Sequence, residues 1–203
     1  IGITEAELIK IAIKSMGLDD LKPFVPEEKI IEYVLAANET KTSLVDMTCR
    51  GFADETASES PAPGGGSISA YLGALGASLA AMVANLSSHK AGWDDRWEEF
   101  SDWAVKGQAI KDELLYLVDE DTNSFNKVMD AFGLPKGTDE EKAARTAAIQ
   151  AATKYATDVP FKTMELSFDA FEVIRAMAEH GNPNSVTDAG VGDLCARSEV
   201  MGV

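Results

Sequence analysis

The sequence predicts an all-α protein, an up-and-down helical bundle, because helix start and stop signals punctuate its whole length. No segment shows the two-residue hydrophobic period that is typical of a half-buried β-strand. The chain has 203 residues, of which 45% are hydrophobic, so it is long enough to bury one sizeable core. We therefore expect one main helical domain with a smaller appendage.

Residues 1–42 are predicted to be the tail of another unit, followed by a linker. Thr4 and Glu7 form a capping-box pattern that starts a helix, and Gly17 ends it. Pro26 starts a second short helix that extends to about residue 35, and residues 36–42 are polar. The chain begins at Ile1 and stops at Val203 within a helical pattern, so we expect a longer polypeptide and a C-terminally incomplete domain over 43–203.

The punctuation of residues 43–203 predicts a series of helices. Ser43 is expected to cap a helix to about residue 57, and a Pro/Gly turn precedes a helix over 67–88. The expected helices that follow are a long stretch from 93 to 133, with or without a break, a helix from the capping box at 138–141 toward 158, a helix from Pro160 to Gly181, and a last helix from about 185.

Small residues recur every four positions in the helix predicted over 67–88. They form two lines, Gly73, Ala77 and Ala81, and Gly76, Ala80 and Ala84. Small side chains let helix axes approach closely, so tight packing in the core explains the pattern. Self-association across this face is the alternative, and we expect the protein to form a homodimer or higher homo-oligomer.

Composition restricts the partners and the compartment. The formal net charge is −16 and the pI is about 4.4, which argues against nonspecific nucleic-acid binding. Only two cysteines occur, Cys49 and Cys195, so no disulfide framework is predicted and a reducing cytoplasm is expected. Residues 68–86 are apolar but rich in Ala, Gly and Ser, which favours a core helix over a membrane span.

The glycine loop Pro61-Ala62-Pro63-Gly64-Gly65-Gly66-Ser67 has the features of a binding site. Ser67 is well placed to cap the following helix, whose first N–H groups can hold a ligand oxygen or a developing negative charge. The loop lacks the Lys-Ser/Thr of a phosphate-binding loop and follows no predicted strand. An oxygen-binding loop of another type and a tight structural turn remain as alternatives.

Asp121 is the acid that helical geometry selects. At about 100° per residue, Asp121 lies near the middle of an apolar stripe, whereas Asp119 points away from it. The stripe consists of Leu114, Leu117, Val118, Phe125, Val128 and Phe132. A carboxylate that faces a core is costly unless it is paired or used, and burial is one way to tune an acid for proton transfer. The alternative is that Asp121 bonds a neighbouring helix or a buried cation.

The two histidines differ as candidates. His89 and Lys90 follow the small-residue helix and are candidates for ligand contact, whereas helix-end electrostatics explain His180. No cluster of His, Asp and Glu has the spacing of metal ligands, so no metal site is predicted.

Several segments resemble the cyclodeaminase domain of the formimidoyltransferase-cyclodeaminase family. They are Ser-Pro-Ala-Pro-Gly-Gly-Gly-Ser at 60–67, Met-Val-Ala-Asn-Leu at 82–86, Leu-Val-Asp-Glu-Asp at 117–121, Leu-Pro-Lys at 134–136, Val-Pro at 159–160, Gly-Asn at 181–182 and Thr-Asp at 187–188. The resemblance covers about residues 43–203. Residues 18–34 resemble the stretch that joins the transferase half of such proteins to the cyclodeaminase half.

The resemblance implies a bifunctional enzyme of histidine degradation and one-carbon metabolism. Its cyclodeaminase releases ammonia from 5-formimidoyltetrahydrofolate and forms 5,10-methenyltetrahydrofolate. Tetrahydrofolate is then the one-carbon carrier, and Asp121 matches the catalytic aspartate of the family. The expected substrate-binding residues are Pro63, Gly64, Gly65, Gly66, Ser67, His89, Lys90 and Asp188. A polyglutamylated folate would need local cations, for which Lys90, Arg96 and Lys162 are candidates.

Two other functions compete with this one. Some stand-alone relatives are methenyltetrahydrofolate cyclohydrolases, and a non-catalytic helical assembly module would also use small-residue faces. The family suggests that subunits pair and that the sites lie near the pairing surface.

Overall fold

The structure, a computed structural model, describes residues 2–38 and 43–202, with no description of the side chains of residues 36–38. This part of the chain contains α-helices and short 3₁₀ turns but no strand, which confirms the predicted all-α class. The helices are α1 Glu5–Ser15, α2 Pro26–Lys29, α3 Ile31–Asn38, α4 Cys49–Thr56, α5 Gly65–Ser88, α6 Trp97–Gly133, α7 Asp139–His180 and α8 Val186–Gly202. The 3₁₀ turns are Leu44–Asp46, Asp94–Arg96 and Pro183–Ser185.

Helix α5 is the centre of the bundle and contacts α6, α7 and α8. Its small residues let those helices come close. A Cβ atom added at Gly76 would lie 2.9 Å from the carbonyl oxygen of Gly192 on α8. The two lines of small residues are therefore used for packing within the chain, and this face is already covered by the chain's own helices. These two lines therefore offer no surface for self-association.

Helix α5 is also long and apolar enough to span a membrane by length and composition. However, 56% of its most apolar 18-residue window is buried inside the fold. Ala70, Ala80, Val83 and Ala84 on this helix have no exposed surface. Its composition is therefore explained by its place in the core.

Helix α7 runs through Pro160, where the sequence predicted that one helix would end and another begin. A proline inside a helix removes one backbone hydrogen bond and costs about 3 kcal/mol. The residues beside it keep the helix in place, because Val159 and Leu166 pack in the core and Thr163 Oγ1 donates a hydrogen bond to the Val159 carbonyl. The burial of one continuous face of α7 therefore outweighs the tendency of Pro160 to end a helix.

Two other predicted helices are divided in the structure. Residues 43–57 form a 3₁₀ turn and then α4, which is capped by Thr48 through a 3.0 Å bond from the Gly51 N–H. The helix predicted from Pro26 is interrupted at Ile30, whose backbone is extended. The predicted linker ends at residues 39–42, which lie outside the described residues, so the boundary at 42/43 stays a prediction.

The N-terminal tail is attached to the bundle at the C-terminal end of α5. The Gly2 carbonyl oxygen accepts hydrogen bonds from Asn85 Nδ2 at 2.7 Å and from Gln108 Nε2 at 3.2 Å. Helices α5 and α6 therefore share the anchor of the tail.

Glu199 on α8 is fully buried in the core. Neither of its carboxyl oxygens has a hydrogen-bond partner among the described residues, and the Ser167 hydroxyl is likewise without one. Burial raises the pKa of Glu199 from 4.5 to about 7. The protonated acid is therefore the form that the fold favours.

We expect this acid to make the fold less stable as the pH rises. Between pH 4.5 and about 7 the unfolded chain has lost the proton that the folded chain keeps, so stability decreases with pH across this window. A shift of this size corresponds to about 3 kcal/mol. Glu199→Gln should remove that loss, which can be measured by urea unfolding at pH 5 and pH 8.

Glu113→Gln, at an exposed glutamate on α6, is the matched control and should keep the wild-type pH dependence. Equal pH dependence of the wild type and Glu199→Gln would contradict the assignment.

Candidate functional site

The glycine loop and Asp121 meet at the start of α5. The N-cap of this helix is Gly64, which has no side chain to bond the first N–H groups. The missing cap comes from α6, because Asp121 Oδ2 accepts hydrogen bonds from the Ser67 N–H at 3.0 Å and from Ser67 Oγ at 3.1 Å. A carboxylate at a helix N-terminus is stabilised by the unpaired N–H groups and the helix dipole.

The capping role predicted for Ser67 is therefore wrong. Ser67 lies inside the first turn, and its side chain has no exposed surface. The helix begins earlier than predicted because glycines 64–66 can enter it while an acid from another helix caps it. Sequence alone cannot show a cap that is 54 residues away in the chain.

The Asp121 carboxylate occupies the space that a side chain at residue 66 would fill. A Cβ atom at Gly66 would overlap Oδ1 and the rest of this carboxyl group, whereas a Cβ atom at Gly65 would meet nothing within 4 Å. The N–H groups of Gly65 and Gly66 lie in the first turn, where no intrahelical partner exists. Pro63 precedes them, buried and after a cis peptide bond. The result is a carboxylate oxygen beside free backbone donors.

The apolar stripe around Asp121 is buried only in part. Leu114 and Val118, N-terminal to Asp121, have no exposed surface, but Phe125 is 50% and Phe132 51% exposed. The stripe becomes exposed beyond Asp121, which contacts the first turn of α5, although Ser124 and Ala131 farther along α6 stay buried. Asp121 is therefore half-buried at the edge of the core, not in the middle of a buried face.

Three consecutive acids on α6 contact three different elements. Asp119 accepts hydrogen bonds from Ser43 Oγ at 2.6 Å and from the Leu44 N–H at 2.7 Å, which hold the 3₁₀ turn Leu44–Asp46 on α6. Glu120 faces α7, and Asp121 faces α5. The prediction that Asp119 and Asp121 point in different directions agrees with this arrangement, although Asp119 is engaged in hydrogen bonds as well.

Glu120 belongs to a polar cluster that the sequence did not indicate. It is 8% exposed and accepts hydrogen bonds from Tyr155 Oη at 2.5 Å, Lys127 Nζ at 3.1 Å and Asn123 Nδ2 at 3.2 Å. Burial alone would raise its pKa, but these donors outweigh burial and lower it. The Glu120 carboxylate in turn raises the pKa of Tyr155 and of Lys127. A cavity of about 260 Å³ opens beside this cluster.

Three of the predicted substrate-binding residues lie at the opposite end of α5. This helix has 24 residues and is therefore about 36 Å long. His89 is its C-cap and Lys90 follows. Asp188 is in the first turn of α8, and the segment before α8 is joined to the end of α5, because the Asn182 N–H donates a hydrogen bond to Ser87 Oγ at 2.8 Å. Within one chain they form a group apart from Asp121.

The group at this far end has local partners. His89 Nδ1 lies 2.9 Å from the Asn85 carbonyl oxygen, and His89 borders two cavities of about 510 and 530 Å³ beside α1. Lys90 Nζ lies 3.8 Å from the centre of the Trp93 ring, and the Arg96 guanidinium lies 5.0 Å from it. Arg96 also pairs with Glu99. Two of the three candidate cations therefore hold the turn between α5 and α6, while Lys162 is exposed on α7.

Residues 2–38 and 43–202 contain no group of three His, Cys, Asp or Glu side chains that could hold a metal ion. Free Cys49 is exposed and Cys195 is partly buried. The chemistry visible at the start of α5 is thus that of one carboxyl group and neighbouring N–H donors. Such a site can accept a proton, return it, and bind a ligand oxygen.

Comparison with known proteins gives two family matches. The model of the family described as formiminotransferase-cyclodeaminase matches residues 48–203, and the model of the formiminotransferase domain matches residues 1–36. The first match contains the whole bundle and the second contains α1 and α2.

Individual relatives agree with these matches. Formimidoyltransferase-cyclodeaminase of Mus musculus is 34% identical over 200 residues, which are 98% of this chain but 37% of that protein. Methenyltetrahydrofolate cyclohydrolase of Methylorubrum extorquens is 41% identical over 149 residues, 73% of this chain and 72% of that protein. The crystal structure of formiminotetrahydrofolate cyclodeaminase from Thermotoga maritima has a TM-score of 0.63, 29% identity and 77% coverage of both chains.

Substitution of Gly65 and of Gly66 should have different effects on stability, because only Gly66 is in contact with the Asp121 carboxylate. Gly66→Ala places a methyl group on Asp121 and should lower the free energy of unfolding by about 1–3 kcal/mol. Gly65→Ala, the matched control, meets open space and should leave stability unchanged or raise it by less than about 1 kcal/mol. Thermal and urea unfolding measure both. Equal effects of the two substitutions would show that Asp121 does not occupy the space over Gly66.

Proposed function

The chain belongs to the formiminotransferase-cyclodeaminase family, and we propose that it carries the cyclodeaminase activity. The proposed reaction releases ammonia from 5-formimidoyltetrahydrofolate and gives 5,10-methenyltetrahydrofolate. The observation that carries the proposal is the half-buried Asp121 carboxyl group, held at the start of α5 beside the N–H groups of Gly65 and Gly66. Because the chain spans 37% of its mouse relative, the activity of a longer protein is part of the proposal.

The reaction needs a proton acceptor for N10 and a proton donor for the leaving nitrogen, and one carboxyl group can serve as both in turn. N10 of the folate attacks the formimidoyl carbon, which forms a carbon–nitrogen bond and a tetrahedral centre. The N10 proton must leave, and the amine nitrogen must be protonated before the bond between it and the carbon breaks and ammonia departs. Asp121 takes the proton from N10 and returns it to the leaving nitrogen, so protons and bonds balance without a second acid.

The backbone at the start of α5 binds the substrate in this proposal. The N–H groups of Gly65 and Gly66 offer hydrogen bonds to an oxygen of the folate, which can approach through the open space at Gly65, while Asp121 occupies the space over Gly66. Pro63 and Gly64 set the entry of the chain into this turn. The loop positions the substrate, and Asp121 moves the proton.

The group at the far end of α5 stays a prediction as a binding region. His89 and Lys90 are about a helix length from Asp121, and Asp188 is on α8, one turn before Gly192, which packs on Gly76. They can contact the same folate only through a polyglutamate tail that runs along α5, or in a second copy of the chain. A cytoplasmic homo-oligomer that uses polyglutamylated tetrahydrofolate, without metal, nucleic acid or membrane, completes the proposal.

A second candidate function rests on one relative. The methenyltetrahydrofolate cyclohydrolase of Methylorubrum extorquens is more similar in sequence than the mouse protein, at 41% against 34% identity. Hydrolysis of the methenyl group also passes through a tetrahedral centre at the same carbon. The match of residues 1–36 to the formiminotransferase domain favours the cyclodeaminase.

Asp121→Asn should reduce ammonia release about 10²–10⁴-fold, because the amide cannot exchange a proton. The fold should persist, since the amide oxygen still accepts the Ser67 N–H. The measurement is a coupled ammonia assay on a polypeptide that contains this chain, with circular dichroism. Asp102→Asn is the matched control, at an exposed aspartate on the same helix about 28 Å away. Undiminished turnover in Asp121→Asn would reject the catalytic assignment.

Cyclodeaminase and cyclohydrolase activity can be compared in one preparation of the protein, and we expect the first to be higher. We expect ammonia release from the formimidoyl substrate to exceed hydrolysis of the methenyl compound in kcat/KM by at least about tenfold, which is about 1.4 kcal/mol in transition-state stabilisation. Absorbance of the methenyl chromophore follows both reactions. The reverse order would favour the cyclohydrolase, and no turnover or folate binding would favour the assembly module.

A further inference from the structure

The two oxygens of the Asp121 carboxyl group have different surroundings. Both hydrogen bonds to the carboxyl group involve Oδ2, and both donors belong to Ser67. Oδ1 lies over Gly66, which has no side chain to cover it. Among the described residues Asp121 makes no ion pair, and Oδ1 has no hydrogen-bond partner.

The Ser67 hydroxyl has more neighbours than it has protons. Its oxygen lies 2.8 Å from the Val118 carbonyl oxygen, 3.1 Å from Asp121 Oδ2 and 3.4 Å from Thr122 Oγ1. A serine has one O–H proton, so it can donate to Val118 or to Asp121 but not fully to both. Val118 lies inside α6, where its carbonyl also accepts the usual helical N–H, so it can lose the serine proton at little cost.

We propose that Ser67 is a positioning residue whose hydroxyl follows the charge of Asp121, so that Oδ1 is the oxygen that exchanges the proton with the substrate. When Asp121 is ionised, Ser67 turns its proton to Oδ2 and adds a charge-assisted bond to the one from its N–H. When Oδ1 carries the proton, Oδ2 is a neutral acceptor and the hydroxyl returns to Val118. This inference rests on the proposed function for the identity of the substrate.

Among the residues that the structure describes, the other groups around Asp121 are engaged elsewhere or uncharged. Helix α5 contains no Asp, Glu, Lys, Arg or His, and its Tyr71 contacts Phe52. On α6, Asp119 is bound to residues 43–45 and Glu120 to the Tyr155 cluster. Ser67 is therefore the side chain that can respond directly to the charge of Asp121. Because it is fully buried, it acts through Asp121 and not on the folate.

The test compares Ser67→Ala with Ser87→Ala. Both serines are on α5, fully buried and bonded to a helix carbonyl, but Ser87 holds the far turn through Val83 and Asn182. In Ser67→Ala the ionised acid loses its charge-assisted donor. The acidic limb of the kcat–pH profile should move upward by about one pH unit, with KM changed less than about twofold. Ser67→Cys, with a weaker donor, should give a smaller shift.

A second readout needs no activity. The ¹³C carboxyl resonance of Asp121, assigned by its loss in Asp121→Asn, should titrate about one pH unit higher in Ser67→Ala than in the wild type. Ser87→Ala should lower the melting temperature without moving this titration. Absence of turnover in the wild type with a shifted titration in Ser67→Ala would reject the proposed function but support the positioning role. An unmoved titration, or a rise in KM alone, would overturn that role.

Discussion

The bond between the Asp121 carboxylate and the first turn of α5 connects the fold to the site. Helix α5 is the central element of the bundle, and its glycine start leaves it without a cap of its own. The cap comes from α6, so the two helices that pack most extensively against each other, α5 and α6, meet at the proposed catalytic acid. Because the carboxyl group that caps α5 is also the proposed proton carrier, the packing of α5 on α6 and the position of this acid depend on each other.

Much of the architecture could be predicted from local pattern. The capping boxes at Thr4 and Thr138 occur as expected, and the period of α6 separated Asp121 from Asp119. These features depend on residues three or four positions apart, which a sequence displays directly. Local pattern gives the wrong result at Pro160, where it predicts a helix end. The helix continues there because Val159 and Leu166 pack in the core.

The parts of the site that were not predicted all depend on contacts between distant residues. Glu120 and Tyr155 are 35 positions apart, and Ser67 and Asp121 are 54 apart. His89 and Asp121 are far apart because Asp121 contacts the first turn of α5 and His89 follows its last turn. Glu199 was hidden because α8 is rich in small residues, so its pattern does not show which side faces the core.

The arrangement of the three acids on α6 restricts how the protein can change in length. The side chains of Asp119, Glu120 and Asp121 point about 100° apart around α6 and contact residues 43–45, α7 and α5 in turn. One residue inserted or deleted in α6 before residue 119 would rotate all three acids relative to the core-facing side chains that precede them. Three contacts would then be lost together. Variation in length is therefore expected in the turns around this helix, and not within its first six turns.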